Sequence, residues 1–420
     1  MDPFVPRGAA ATLRRSSGAR RRSAAHRGDG GVRSLLRRAF SRASSRHAAP
    51  TSRDRAEDPD RNDRTMSAED RAERRVADTD LRRYVGALFV HAGMADADAT
   101  LLAETLVDAD LSGVHSHGVL RVPEYLRKLG EGGVDPRGAP RVVGALGGCL
   151  VVDGGNAMGQ VAAMYAMERA IERVGTQGIV AAAVRGSNHC GAVGFYARRA
   201  AARGTIGLAT TNALPTMAPW GGAEPIVGIN PLAIAIPAGR HPPLLFDGAF
   251  SGSAHGKIRV YAQRGEPIPE GWATDRDGRP TTDASAALEG LLLPIGGFKG
   301  IALAMMMGIL SSLLSGAAYG TELGDMARGP RAGLDGHFLA AIDIAAFEDP
   351  VRFRARVDAI VDEVHNSRRA SGVTRLYVPG EPEEEARARR GVEGIPLNAQ
   401  TLADLTRVGQ LRGIAPLAFL

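Results

Sequence analysis

Cysteine is nearly absent from this chain: 420 residues contain only Cys149 and Cys190. Two thiols make no disulfide framework at this length, which excludes a small stapled scaffold and fits a reducing compartment, the cytoplasm. Aromatic residues are scarce at 5%, and lysine is rarer still, with Lys128, Lys257 and Lys299 the only three among 52 basic residues. No apolar run is both long enough and suitably flanked to cross a membrane. The best case, Ile301 to Gly320, carries no charge but is interrupted by Gly308, Ser311, Ser312, Ser315 and Gly316. It reads as a buried helix of a folded core. The sequence G-x-G-x-x-G occurs nowhere, which excludes an ordinary Rossmann turn.

The composition that remains, 44% hydrophobic and 23% charged, is that of a globular chain with a substantial core. Its basicity is local. Residues 1–65 hold 16 Arg against 7 acidic side chains, so the rest of the chain is mildly acidic. The tail lacks apolar periodicity and is expected to be disordered. A nucleic-acid or membrane-surface arm and an Arg-rich targeting peptide both account for it. The favoured reading is an over-extended frame whose working start is Met66, because patterned helices follow at once and no aromatics are interleaved for base stacking. Neither nucleic acid nor membrane is expected as a partner of the main body.

Periodicity predicts helices within 78–113, a short helix holding Tyr125 and Leu129, and a Gly/Pro-rich boundary at 130–140, with Asp98 a candidate N-cap. Strands are expected at 149–152, 179–184, 205–211, 234–236, 244–246 and 338–347, and helices at 160–174, 194–203, 299–315, 351–366 and 399–411. This is an α/β protein with a helical N-terminal portion. The expected division is tail 1–65, helical portion 66–145, α/β domain 146–350 and C-terminal helices 351–420 that pack back on the N-terminal portion.

Three constellations carry chemistry. The turn from Arg185 through Gly194 leaves a strand and opens a helix, so it is either a phosphate cradle or an ordinary Gly-rich turn. Lys257 and Lys299 stand beside glycines, where a compact ammonium can approach a ligand, while Lys128 reads as a solvated helix face. The third is His115-Ser116-His117-Gly118 with Arg121: an imidazole able to pass a proton and a guanidinium able to hold a carboxylate. His-x-His is also half of a metal site, but no second pair of ligands is evident, and no metal is expected.

These motifs are ordered like those of the malate/L-lactate dehydrogenase family, the non-Rossmann NAD(P)-dependent group that includes malate, sulfolactate and ureidoglycolate dehydrogenases and the cyclic-imine carboxylate reductases. The resemblance runs from about Asp80 to Gly394. It rests on the His115–Arg121 segment with Tyr125, Gly159-Gln160, Ser187-Asn188-His189 through Ala197, Thr211-Asn212 through Gly222, Gly228 through Ala233, Phe246-Asp247, Gly256-Lys257, Pro294 through Gly300, and Tyr377 through Glu381. It implies a mostly antiparallel central sheet that binds NAD or NADP, a helical domain built from both termini, and a homodimer with its active site near the interface.

Carried over residue by residue, the resemblance implies His117 as acid/base supported by Ser116, with His189 the proton acceptor in some members and Lys257 a further catalytic group. Arg121, His255 and Gly256 would bind substrate. Asn188, His189, Cys190, Gly191, Ala192, Asn212, Asn230, Asp247, Gly248, Ala249, Lys299, Gly380 and Glu381 would contact the cofactor. Lys257 stands where the imine reductases carry an Asp, which favours a small 2-oxo or 2-hydroxy acid as substrate. Gly248, Ala213 and Ile229 also depart from common family residues.

Overall fold

The computed structural model of the chain describes residues 74–324 and 334–420. The Arg-rich tail and the start at Met66 lie outside the described residues. The chain enters as β1 (Arg74–Val76), α1 (Asp78–His91) and α2 (Asp96–Leu111). Two 3-10 turns (His115–His117 and Val119–Arg121) lead into α3 (Val122–Gly130). Next come β2 (Arg141–Leu146), β3 (Cys149–Asp153), α4 (Gly159–Gln177), β4 (Ile179–Ser187), α5 (Gly194–Ala201) and β5 (Ile206–Thr211). β6 (Pro215–Met217) and β7 (Val227–Gly228) precede β8 (Leu232–Ile236), β9 (Leu244–Gly248) and α6 (His255–Arg264). β10 (Ala273–Thr274), β11 (Pro280–Thr281), α7 (Ala284–Glu289) and α8 (Phe298–Ser311) follow. The chain closes with β12 (Asp335–Ile342), α9 (Pro350–Asn366), α10 (Glu381–Glu393), β13 (Ile395–Leu397) and α11 (Ala399–Gln410).

The central sheet has seven strands in the order β2-β3-β4-β12-β5-β8-β9, and only the β3–β4 pair is parallel. The sheet is therefore mostly antiparallel. Alternate residues of each strand share a face: Val180, Ala182 and Val184 of β4 lie with Leu339 and Ala341 of β12 and Ala233 and Ala235 of β8 under α4 and α5. Alanine predominates in this core, so helix and sheet approach closely. Gly207 of β5 sets the limit, since a Cβ there would sit 2.2 Å from the Ala197 carbonyl oxygen.

A second core joins both ends of the described chain. Leu81, Tyr84, Leu88 and Phe89 of α1 pack with α2, α3 and with Leu402, Leu405 and Val408 of α11, and β1 pairs antiparallel with β13. A third core, around Met217, Phe250, Ile258 and Ile301, is a unit the sequence did not mark off. α9 docks elsewhere than on the N-terminal core: Asp358 accepts the backbone N–H groups of Gly239, Arg240 and His241 between β8 and β9.

Several local expectations change. α2 is capped at Ala95, leaving Asp98 inside the first turn, where an acidic side chain still favours the helix dipole. The strand expected at 338–347 stops at Ile342, where Asp343 turns the chain by accepting the Ala345 N–H. α8 is only half covered: Ile301, Ala304 and Gly308 are buried, while Leu303 and Met306 are 47% and 50% exposed. Its open face is apolar apart from the exposed Lys299 at the first turn, so the helix is not a buried one. No helix among the described residues is long and apolar enough to cross a membrane.

Candidate active site

Asp110, near the end of α2, organises the loop that carries the candidate acid/base. It is 2% exposed, accepts the Val119 N–H at 2.7 Å and meets His115 Nδ1 at 2.8 Å. Gly118 is required beside it, since a Cβ there would lie 2.2 Å from the Asp110 carboxylate. His115 and His117 therefore diverge. His115 faces Asp110, and His117 faces Ser116 Oγ, 3.0 Å from its Nδ1. Among the described residues no three His, Cys, Asp or Glu side chains gather as metal ligands.

A second close approach brings His189 to this loop. Gly159 opens α4 against the chain leaving β4, where a Cβ would sit 1.9 Å from the Asn188 carbonyl oxygen. The His117 and His189 rings then stack, with centroids 5.7 Å apart and planes 7° from parallel. Burial, followed by the Arg121 charge, pulls His117 down to about 4. Burial, Arg121, His117 and His337 together hold His189 well below the ordinary histidine range. Both imidazoles are neutral at neutral pH. Arg121 donates from Nε to the Ser116 carbonyl and from a terminal nitrogen to Glu124 at 2.8 Å.

His117 and Ser116 open into a cavity of about 530 Å³. Its walls come from the end of α2 (Asp108, Ser112), the β4–α5 turn (Gly191 to Gly194), β9 and its continuation (Leu245 to Ala249) and a strap at Tyr377 to Gly380 with Glu383. The size and the apolar walls suit an aromatic ring and sugar. Of the expected contacts, Gly191, Ala192, Asp247, Gly248, Ala249 and Gly380 line it together with Ser116 and His117. Asp247 accepts the Gly194 N–H at 2.8 Å, so the protein's own carboxylate occupies the helix end that the sequence offered to a phosphate. Burial raises Asp247 to about 6.

The other expected contacts are placed differently. Asn188 Nδ2 donates to Asn156 and to the Ala157 carbonyl. Asn212 donates to Ser312 Oγ and the Ala318 carbonyl while accepting from the Gly336 N–H. Asn230 accepts from the Ala213 N–H and donates to the Ala304 carbonyl. These three amides brace loops. Glu381 faces away from the cavity and accepts from Val378 N–H, Arg375 and His365, which fixes the strap from outside. Cys190 is buried, burial pushes its thiol up to about 12, and it does not line the cavity. Lys257 lies over the Trp272 ring, 4.6 Å from its centroid. His255, Gly256 and exposed Lys299 also lie outside the cavity wall. The sequence assigned no role to Asp110 or Glu383, and Tyr377 stood out only as the start of the family motif that runs to Glu381.

Residues 76–406 match the family model described as malate/L-lactate dehydrogenase. The chain belongs to the malate/L-lactate dehydrogenase family. It is 38% identical to L-sulfolactate dehydrogenase of Methanothermobacter thermautotrophicus, over 73% of this chain and 88% of that protein. It is 34% identical to the pyrroline-2-carboxylate/piperideine-2-carboxylate reductase of Pseudomonas putida, over 79% of this chain and 96% of that protein. The NAD(+)-dependent ureidoglycolate dehydrogenase of Escherichia coli matches at 35%, over 73% and 87%. The solved sulfolactate dehydrogenase of Methanocaldococcus jannaschii superposes with a TM-score of 0.77 at 35% identity, covering 81% of this chain and 98% of that one. The family's members are dehydrogenases and reductases of small carboxylic acids, and this chain shares their fold.

Proposed function

We propose that the protein is an NAD(P)-dependent oxidoreductase that interconverts a small 2-oxo acid and the corresponding 2-hydroxy acid in the cytoplasm. The observation that carries this reading is that His117, which lines one mostly apolar cavity, stacks on His189 with the Arg121 charge acting on both rings. The cavity fits the cofactor in size and in the backbone approach allowed by Gly191, Gly248 and Gly380, and these with Ala192, Asp247 and Ala249 would hold it. When bound, the nicotinamide supplies or accepts the hydride.

The chain's own residues do the rest. Arg121 is positioned to exchange Glu124 for a substrate carboxylate. His117, neutral at rest, would take the proton of the substrate hydroxyl on oxidation and return it from its imidazolium form on reduction, an effect typically worth about 10²- to 10⁴-fold. Ser116 keeps its Nδ1 hydrogen-bonded throughout. Lys257 and Lys299 lie outside the wall of this cavity in a single chain.

A homodimer belongs to the same proposal. The open face of α8, with Phe298, Leu303 and Met306 exposed and Lys299 its one charge, is a largely apolar surface suited to a second copy. Leu303→Asp with Met306→Lys should yield monomers by sedimentation.

A second substrate class, cyclic-imine carboxylates, has a specific support. The sequence argued against it from Lys257, and Lys257 packs on Trp272 and does not line the cavity that His117 lines. Assay of pyruvate, oxaloacetate, sulfopyruvate and piperideine-2-carboxylate with NADH and NADPH, followed at the nicotinamide absorbance, separates the two. Turnover of the oxo acids supports the proposal, turnover of the imine alone moves it to the second class, and turnover of none rejects both.

A further inference from the structure

The two stacked histidines differ in what their Nδ1 atoms touch, and this difference assigns their roles. His189 Nδ1 receives the Gly191 backbone N–H at 3.3 Å and lies 2.7 Å from Tyr125 Oη. A backbone N–H only donates, so His189 Nδ1 carries no proton. The neutral ring must then hold its proton on Nε2. Tyr125 Oη in turn receives the Gln160 side-chain N–H at 3.3 Å, which directs the tyrosine hydrogen onward to His189. Tyr125 and Gln160 are both fully buried; Gln160 Oε1 has no hydrogen-bond partner, and the Gly191 N–H is the group that fixes the direction at His189 Nδ1.

His117 has no such constraint. Its Nδ1 partner is the Ser116 hydroxyl, which both donates and accepts and turns to suit either tautomer. Neutral His117 can therefore hold its proton on Nδ1 against Ser116, gain a second at its bare Nε2 and return it, with Nδ1 hydrogen-bonded throughout. His189 cannot. Losing the Nε2 proton would leave an imidazolate, and gaining one at Nδ1 would break both hydrogen bonds.

We propose that Tyr125 and Gln160 are positioning residues that pin His189 as a permanent Nε2–H donor to the substrate oxygen, which leaves His117 as the group that transfers the proton. The inference rests on the oxidoreductase reading above. In the direction of oxidation the substrate hydroxyl would pass its proton to the bare Nε2 of neutral His117, which becomes an imidazolium with its Nδ1–H on Ser116 Oγ; reduction is the reverse and starts from that imidazolium, protonated from solvent, while His189 faces the charge on the substrate oxygen without changing its protonation. The charged and titratable groups around His189 are Arg121, His117 and His337, with Tyr125 and Cys190 neutral beside it. Arg121, paired with Glu124, acts on both rings.

Two measurements on the full chain test this. The first needs no turnover: imidazole ¹⁵N spectra of the wild-type protein should show His189 with bare Nδ1 and protonated Nε2, unchanged between about pH 5 and pH 8. A proton on Nδ1, or titration in that range, overturns the proposal whether or not the chain is a dehydrogenase. The second is kinetic. Tyr125→Phe should lower kcat about tenfold and let His189 titrate, adding an ionisation to the kcat pH profile, with cofactor KM unchanged. Gln160→Met should do the same more weakly. Wild-type kcat and pH profile in a folded Tyr125→Phe protein would overturn the assignment. Should that variant not fold, the wild-type spectra decide alone.

Discussion

His337 lies behind the active site, and its burial makes a quantitative prediction about acid. It sits on β12, 1% exposed, with Nε2 2.8 Å from Ser187 Oγ and Nδ1 2.8 Å from Thr211 Oγ1. Burial pulls it from 6.5 down to about 4. A folded-state value below the unfolded one contributes stability that is fully present above the unfolded value and lost as the pH falls towards the folded value. From about pH 7 to pH 5 the unfolded chain takes up a proton here and the native one does not, a loss of about 2 kcal/mol. The wild-type curve alone does not isolate this, because buried Asp335 and Asp247, raised to about 7 and about 6, shift stability in the opposite direction over the same window. The difference between wild type and His337→Gln does. Urea unfolding at the two pH values should show the variant keeping about 2 kcal/mol more of its neutral-pH stability on acidification than wild type does. Superimposable pH dependences would refute the claim that a neutral imidazole is locked between Ser187 and Thr211.

Three further outcomes follow from the site. His117→Ala should lower kcat about 10²- to 10⁴-fold with little change in cofactor affinity, and steady-state kinetics with a direct cofactor titration checks both. Gly118→Ala should displace the Asp110 carboxylate that holds the loop, costing about 1–3 kcal/mol and at least about tenfold in kcat, read by thermal unfolding and kinetics. Asp247, neutral below about pH 6 and ionised above it, faces the cavity with Glu383, so an anionic dinucleotide should bind severalfold more weakly as the pH rises through that value. Asp247→Asn should flatten the profile in an equilibrium titration.

The sequence marked most elements that carry an apolar period. α1, α4, α5, β4 and β8 bury residues at regular spacing, and their positions were legible to within a few residues. α10 was not legible because it buries nothing: its pattern is charge after charge. The open face of α8 was hidden for the converse reason, since an uncharged helix reads alike whether protein or solvent covers it. In the site, His117, His189 and the Gly191–Gly194 turn were visible as chemistry-bearing types on Gly-rich loops. Asp110 was not, and Gln160 was visible only as part of a family motif without its partner Tyr125, because both matter through close approaches at Gly118 and Gly159 that only folding creates. The amides of Asn188, Asn212 and Asn230 stand in family motifs, yet their hydrogen bonds run to neighbouring loops. Such positions preserve the scaffold around the cavity, and a motif does not distinguish that from contact with a ligand.

The account stands most directly on the cavity being the place where cofactor and acid meet. Ala249 is part of its wall, and Ala249→Trp would fill it with an indole ring. Fluorescence titration with NADH and NADPH should show binding by wild type and its loss in the variant, with the thermal midpoint and the His117 imidazole spectrum preserved. Undiminished cofactor binding by that variant would place the nicotinamide elsewhere and contradict the assignment of the site.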